Sequence, residues 1–204
     1  DRLNKMVLLI RSDITEQYLE QLVKNNSLKS ALECAQRDPL TQLYNKRAVK
    51  DHINKKLLDI CGKLSALLFL DLDDFKSIND NLGHSEGDAT LKIVAESLTK
   101  SVRHTDLVGR FGGDEFVIFI PEITSKGEVL RCVERIFKCF DNIYNEYVQS
   151  EHTKNFSCSI GIAFYPENGE NFDMLVEKAD LALYKSKSMG KNCCSIYCGN
   201  IKHL

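Results

Sequence analysis

The chain has 204 residues, 43% apolar and 27% charged, enough to bury one full globular domain with an appendage. Twenty-seven Lys and Arg against 29 Asp and Glu leave a formal net charge of −2, which lacks the electrostatic footprint of a DNA- or RNA-binding protein. The longest purely apolar run, Met6 to Ile10, is far too short to cross a bilayer, and no signal peptide is legible, so a cytoplasmic chain without membrane contact is expected.

The sequence opens at Asp1 in mid-pattern, as a piece of a longer protein would, and Met6 to Ile10 reads as the tail of a strand. Asp13, with Glu16 three positions on, has the spacing of a capping box. A 4/3 seam then runs Ile14, Tyr18, Gln21, Asn25, Leu28, Leu32, Ala35. Such a seam belongs to a helix that pairs with a copy of itself or packs on its own domain, and its amides cost stability but can fix register. Residues 1–37 are therefore expected to form the end of an upstream unit plus a signalling linker helix, and residues 38–204 the main domain.

Pro39 breaks the helical pattern. Beyond it the periodicity predicts a helix over Asn45–Ile60, a strand over Leu64–Leu70 and a helix over Glu86–Val102. Strands over Leu107–Phe111 and Phe116–Ile120 follow, then a helix over Glu128–Val148, a strand over Phe156–Phe164, a helix over Phe172–Ser188 and a strand over Cys193–Tyr197. Leu64–Leu70 is apolar on both faces, as a central buried strand requires. The order is βαββαβ with additions, a ferredoxin-like α/β (α+β) sandwich. The eight cysteines form no CxxC pair and fit small reduced hydrophobes, with Cys193, Cys194 and Cys198 clustered at the last strand.

Three acids, Asp71, Asp73 and Asp74, crowd the end of the central strand, where they repel one another and need compensation. A hard cation such as Mg2+, completed by substrate phosphate or water, would supply it; a solvated acidic loop is the alternative. Gly112-Gly113 reads as a two-residue hairpin loop, followed at once by Asp114 and Glu115. With the hairpin beside the central strand, Asp71 and Asp114 could converge on one metal. The stretch from Asp74 to Asp88 offers helix-start amides and Lys76 for phosphate. Its Asn79 amide and Asp88 carboxylate can read a guanine edge, which adenine cannot match.

Five ordered motifs carry a resemblance: Asp38-Pro39-Leu40-Thr41-Gln42-Leu43-Tyr44-Asn45-Lys46-Arg47, the Asp71–Asp88 stretch, Arg110–Phe116, Ser159-Ile160-Gly161-Ile162-Ala163, and Ala179-Asp180-Leu181-Ala182-Leu183-Tyr184. From about Asp38 to Tyr197 the chain resembles a GGDEF domain, the diguanylate cyclase family of bacterial signalling, whose fold is nucleotidyl-cyclase palm-like. That resemblance implies a homodimer of GTP-loaded protomers making cyclic di-GMP and two pyrophosphates, with two Mg2+ (or Mn2+) ions per active site. It implies Asp71, Asp114 and Glu115 as catalytic acids and metal ligands, joined by the Leu72 backbone carbonyl. Asn79 and Asp88 match the guanine readers, Gly112 and Gly113 the glycines under the triphosphate, and Asp74, Phe75, Lys76, Lys187 and Lys191 the phosphate contacts. Arg103 and Asp106 match an RxxD inhibitory site for product, with Arg131 or Arg135 as a second arginine. Gln42, Lys46 and Lys191 depart from the family's usual Gly, Arg and Arg. Ser12-Asp13-Ile14-Thr15-Glu16 resembles the exit of a PAS sensor. A cyclic di-GMP receptor without turnover, or a GTP-binding interaction module, is the alternative reading.

Overall fold

The structure, a computed structural model, describes residues 18, 21–24, 27–29, 31–144 and 156–199. The chain divides into two compact units, Asp1–Arg37 and Asp38–Leu204. In the first, the described positions up to 35 are helical, and Tyr18, Leu22, Val23, Leu28 and Leu32 are exposed. Seam positions 14 and 25, the strand expected at 6–10 and the cap expected at 13–16 lie outside the described residues.

The second unit is built on one six-stranded sheet. Its strands are β1 (Tyr44–Asn45), β2 (Ser65–Asp73), β3 (Leu107–Gly112), β4 (Glu115–Ile120), β5 (Ser157–Tyr165) and β6 (Cys194–Ile196), in the order β1-β3-β4-β2-β5-β6. The inner four pair antiparallel throughout, which is the ferredoxin-like arrangement, while β1 and β6 add a parallel strand at each edge. The helices are α1 (Lys46–Ile60), α2 (Phe75–Leu82), α3 (His84–Ser101), α4 (Lys126–Ile143) and α5 (Phe172–Ser188). Alternation along β2 explains the layering. Ala66, Leu68, Leu70 and Leu72 join a core with Ile78, Leu91, Leu98, Val133 and Ile136 of α2, α3 and α4. Leu67 and Phe69 face the other way, onto Val49 and Ile53 of α1 and Leu175 and Ala179 of α5.

Several boundaries differ from expectation. Strand β2 runs three residues further than predicted, through Asp73, because the acids do not end it. Helix α2 went unpredicted: only Phe75 and Ile78 of its eight residues are buried, too few to set a period. Helix α3 begins at His84 rather than Glu86, directly after Gly83, whose φ of 90° turns the corner from α2. Helix α4 starts at Lys126 because Ser125 is extended, and its described part ends at Ile143. The two-residue β1 was read as loop and helix start; Asn45 instead ends it and caps α1, its side chain accepting from Ala48 N–H at 3.0 Å.

Candidate active site

The acidic end of β2 separates into two roles. Asp73 is buried, at 2% exposure, and fully partnered. It accepts from Ser157 Oγ at 2.7 Å, Ser159 Oγ at 2.8 Å and the Asn192 N–H at 3.0 Å. Buried carboxylates persist when hydrogen-bonded in this way, so Asp73 ties β2 to β5 and to the loop after α5. The compensation that the sequence sought for all three acids from a cation or solvent thus comes, for this one, from within the chain. Asp74 takes a left-handed conformation, φ 55°, ahead of α2, and its carboxylate lies 2.7 Å from Lys191 Nζ.

Asp71 stands directly opposite Glu115 on β4, and the Leu72 N–H donates to the Asp114 carbonyl at 3.3 Å. The three acids Asp71, Asp114 and Glu115 thus gather where the hairpin meets the central strand. Burial pushes the Asp71 carboxyl above its ordinary range, against the opposing pull of Lys187 Nζ 2.7 Å away, with Asp114 and Asp73 adding to the rise. Burial likewise raises Glu115, helped by Asp71, Asp114 and Asp180. This donor set, all oxygen and short of positive charge, fits a hard divalent cation. Among the described residues, no three Asp, Glu, His or Cys side chains are gathered closely enough to hold a metal by themselves. A shell built here would need the Leu72 carbonyl, substrate phosphate and water as well.

The hairpin loop is Gly113-Asp114, not the two glycines: Gly112 still pairs with Glu115, after a bulge past Arg110. Gly113 has φ 50° and would be strained with a side chain. The loop is braced from below. Arg110 donates through Nε and Nη2 to the Gly113 carbonyl at 2.9 and 2.7 Å, and through Nη1 to Asp38 Oδ1 at 3.0 Å.

Beside the acids opens a cleft of about 380 Å³ lined by Phe75, Lys76, Asn79, His84, Asp88, Leu91, Arg110, Gly113 and Asp114. It brings together Asn79 of α2 and Asp88 of α3 with Lys76 and the hairpin, as expected from sequence. His84, Leu91 and Arg110 were not singled out; Arg110 was legible as the cation opening the hairpin motif. Lys187 and Lys191 do not line this cleft. Lys187 sits on Asp71, and Lys191 lines a neighbouring cleft of about 500 Å³ with Asp74, Ser157 and Asn192.

Arg103 and Asp106 form a turn at the end of α3, where the Arg103 N–H donates to Asp106 Oδ2 at 2.8 Å. The Arg103 guanidinium reaches Glu128 Oε2 at 3.1 Å. Of the second-arginine candidates, Arg135 is occupied, donating through Nε to the Ser101 carbonyl at 3.0 Å. All eight cysteines are free, with Cys132 and Cys158 buried. No helix among the described residues is long and apolar enough to cross a membrane.

The sheet thus ends in carboxylates beside a cleft that carries an amide, an acid and a lysine. The family follows from comparison: the model for "Diguanylate cyclase, GGDEF domain" matches residues 35–193, and the chain belongs to that family. It is 34% identical over 193 residues to the cyclic di-GMP phosphodiesterase NbdA of Pseudomonas aeruginosa, covering 87% of this chain and 24% of that protein. It is 33% identical over 181 residues to the diguanylate cyclase TpbB of Pseudomonas aeruginosa, covering 88% of this chain and 41% of TpbB. The solved GGDEF domain of TpbB superposes with a TM-score of 0.72 at 32% identity, over 79% of this chain and 94% of that one. The GGDEF domain of DgcB from Caulobacter crescentus, solved with cyclic di-GMP, gives 0.68 at 27% identity, over 80% and 96%. The chain thus spans between a quarter and two fifths of the length of these curated relatives.

Proposed function

We propose that this chain is a diguanylate cyclase, condensing two GTP molecules into cyclic di-GMP and two pyrophosphates between two protomers. The observation that carries the reading is the cleft itself: Asn79, Asp88 and Lys76 share it with Asp114, next to Asp71 and Glu115. The Asp88 carboxylate accepts from the guanine N1–H and amino group, and the Asn79 amide contacts O6 or N3, flanked by Phe75 and Leu91. Lys76, the amides of Asp74 and Phe75, and then Lys187 and Lys191 hold the triphosphate. Beyond the adjacent residues of the chain, no protein atom lies within 4 Å of where a side chain on Gly112 or Gly113 would start, which leaves room for phosphate to approach the backbone. Asp71, Asp114, Glu115 and the Leu72 carbonyl would hold two Mg2+ ions per site. Bound there, such ions would lower the pKa of the 3′-hydroxyl and neutralise charge at the α-phosphate. Glu115, opposite Asp71 on β4, would support the ions or accept the hydroxyl proton.

A single cleft holds one GTP, so ring closure needs a second protomer facing it across a two-fold axis. The exposed Tyr18, Leu22, Leu28 and Leu32, which share one face at helical spacing, would supply an apolar stripe for such pairing. Arg103 and Asp106 would bind product and hold an inactive arrangement, Arg103 taking guanine or phosphate through its planar fork. A receptor without turnover is the second reading, favoured by the match to a protein named a phosphodiesterase. Pyrophosphate release from GTP separates the two. Release that is lost in both Asp71→Asn and Asp114→Asn supports the cyclase, and GTP bound without release supports the receptor.

A further inference from the structure

Gly87 occupies the first turn of α3, where glycine weakens a helix more than any residue but proline. Its φ lies outside the left-handed region, so the backbone does not demand glycine there. The demand comes from a neighbour. A methyl group on Gly87 would overlap Asn79 Oδ1, stand 3.0 Å from Asn79 Cγ and touch Phe75 Cζ at 3.4 Å. Retreat is blocked, because α2 and α3 are joined through the single residue Gly83, whose N–H donates to the Asn79 carbonyl at 3.0 Å. The Asn79 amide therefore lies in a notch that exists only because Gly87 has no side chain, and Asp88 follows in the next position.

Resting on the guanine reading above, we infer that Gly87 is a positioning residue for base selection, acting through Asn79. A side chain at this position drives the amide out of the notch and misaligns it with Asp88, while the apolar flank and the phosphate contacts stay as they are. The effect is confined to the base, and it disappears when Asn79 is truncated.

Wild type, Gly87→Ala, Asn79→Ala and the double variant are compared for GTP and ATP affinity and for thermal midpoint. Gly87→Ala is expected to weaken GTP about tenfold with ATP unchanged, the scale of one misplaced hydrogen-bonding group, and to lower the midpoint. In the Asn79→Ala background the same substitution leaves GTP affinity unchanged and raises the midpoint, since the obstructing oxygen is gone and alanine favours the helix. A Gly87→Ala protein with wild-type GTP affinity, or a double variant about tenfold weaker than Asn79→Ala alone, would overturn the inference. Wild-type protein that binds GTP and ATP equally would instead overturn the guanine reading, and the inference with it.

Discussion

Arg110 and Asp38, 72 residues apart, meet at 3.0 Å beneath the hairpin loop, with the same guanidinium holding the Gly113 carbonyl. Burial would raise the Asp38 carboxyl, but the Thr41 hydroxyl, the Thr41 N–H and Arg110 outweigh it and hold it below 3.8. A carboxylate lowered on folding contributes stability above its ordinary value and loses it as pH falls through the folded one. Asp38→Ala should cost about 2 kcal/mol near pH 7, and the gap to wild type should narrow as pH falls from 7 through the folded value below 3.8. Urea midpoints across that range measure it; a gap that does not narrow would contradict the ion-pair account.

Asp71 and Asp73 should part company on mutation. Asp73→Ala deprives the buried Ser159 hydroxyl, the half-buried Ser157 hydroxyl and the Asn192 N–H of their acceptor and should cost about 3 kcal/mol. Asp71→Asn removes a half-buried charge facing Glu115 and should raise the thermal midpoint while abolishing turnover. Calorimetry beside a pyrophosphate assay reads both, and a destabilised Asp71→Asn would show that its pair with Lys187 outweighs the acidic crowding.

Lys191 reaches Asp74 at 2.7 Å with both side chains half exposed. An arginine could hold that carboxylate and a phosphate together through its fork. Lys191→Arg should lower the KM for GTP by about threefold with kcat unchanged. An unchanged KM would remove Lys191 from the triphosphate contacts.

If Arg103 binds product as proposed, Glu128, which pairs with it at 3.1 Å, would compete for the guanidinium. Its side chain is 11% exposed and also accepts from the Thr124 N–H at 3.0 Å, so the guanidinium meets an anchored acid. Glu128→Gln should tighten inhibition by cyclic di-GMP by about threefold, and Arg103→Ala should relieve it by about tenfold or more. Initial rates without product should stay at wild type in both. Inhibition that is equal in all three proteins would place the product site elsewhere.

The four-stranded antiparallel core and its buried central strand were legible in the sequence, because element order and apolar alternation encode them, and motif order singled out Asn79, Asp88, Lys76 and Asp114; the edge strand β1 was not legible. What was not legible depends on partners distant along the chain. Asp73 resembles its neighbours in sequence, yet only the pairing of β2 with β5 brings Ser157 and Ser159 to it. The loop at Gly113-Asp114 follows from a bulge past Arg110, which the Gly-Gly dipeptide conceals. The constraint on Gly87 arises only where the corner at Gly83 lays α2 against α3.

The central claim is that two GTP-loaded protomers join their substrates. Incubating the chain with GTP and Mg2+, beside an Asp114→Ala control, and identifying the nucleotides by chromatography tests it most directly. The account predicts a cyclic di-GMP peak with two pyrophosphates per product molecule, absent in the control. GTP recovered intact from protein that binds it, at concentrations where the chain is dimeric, would contradict it.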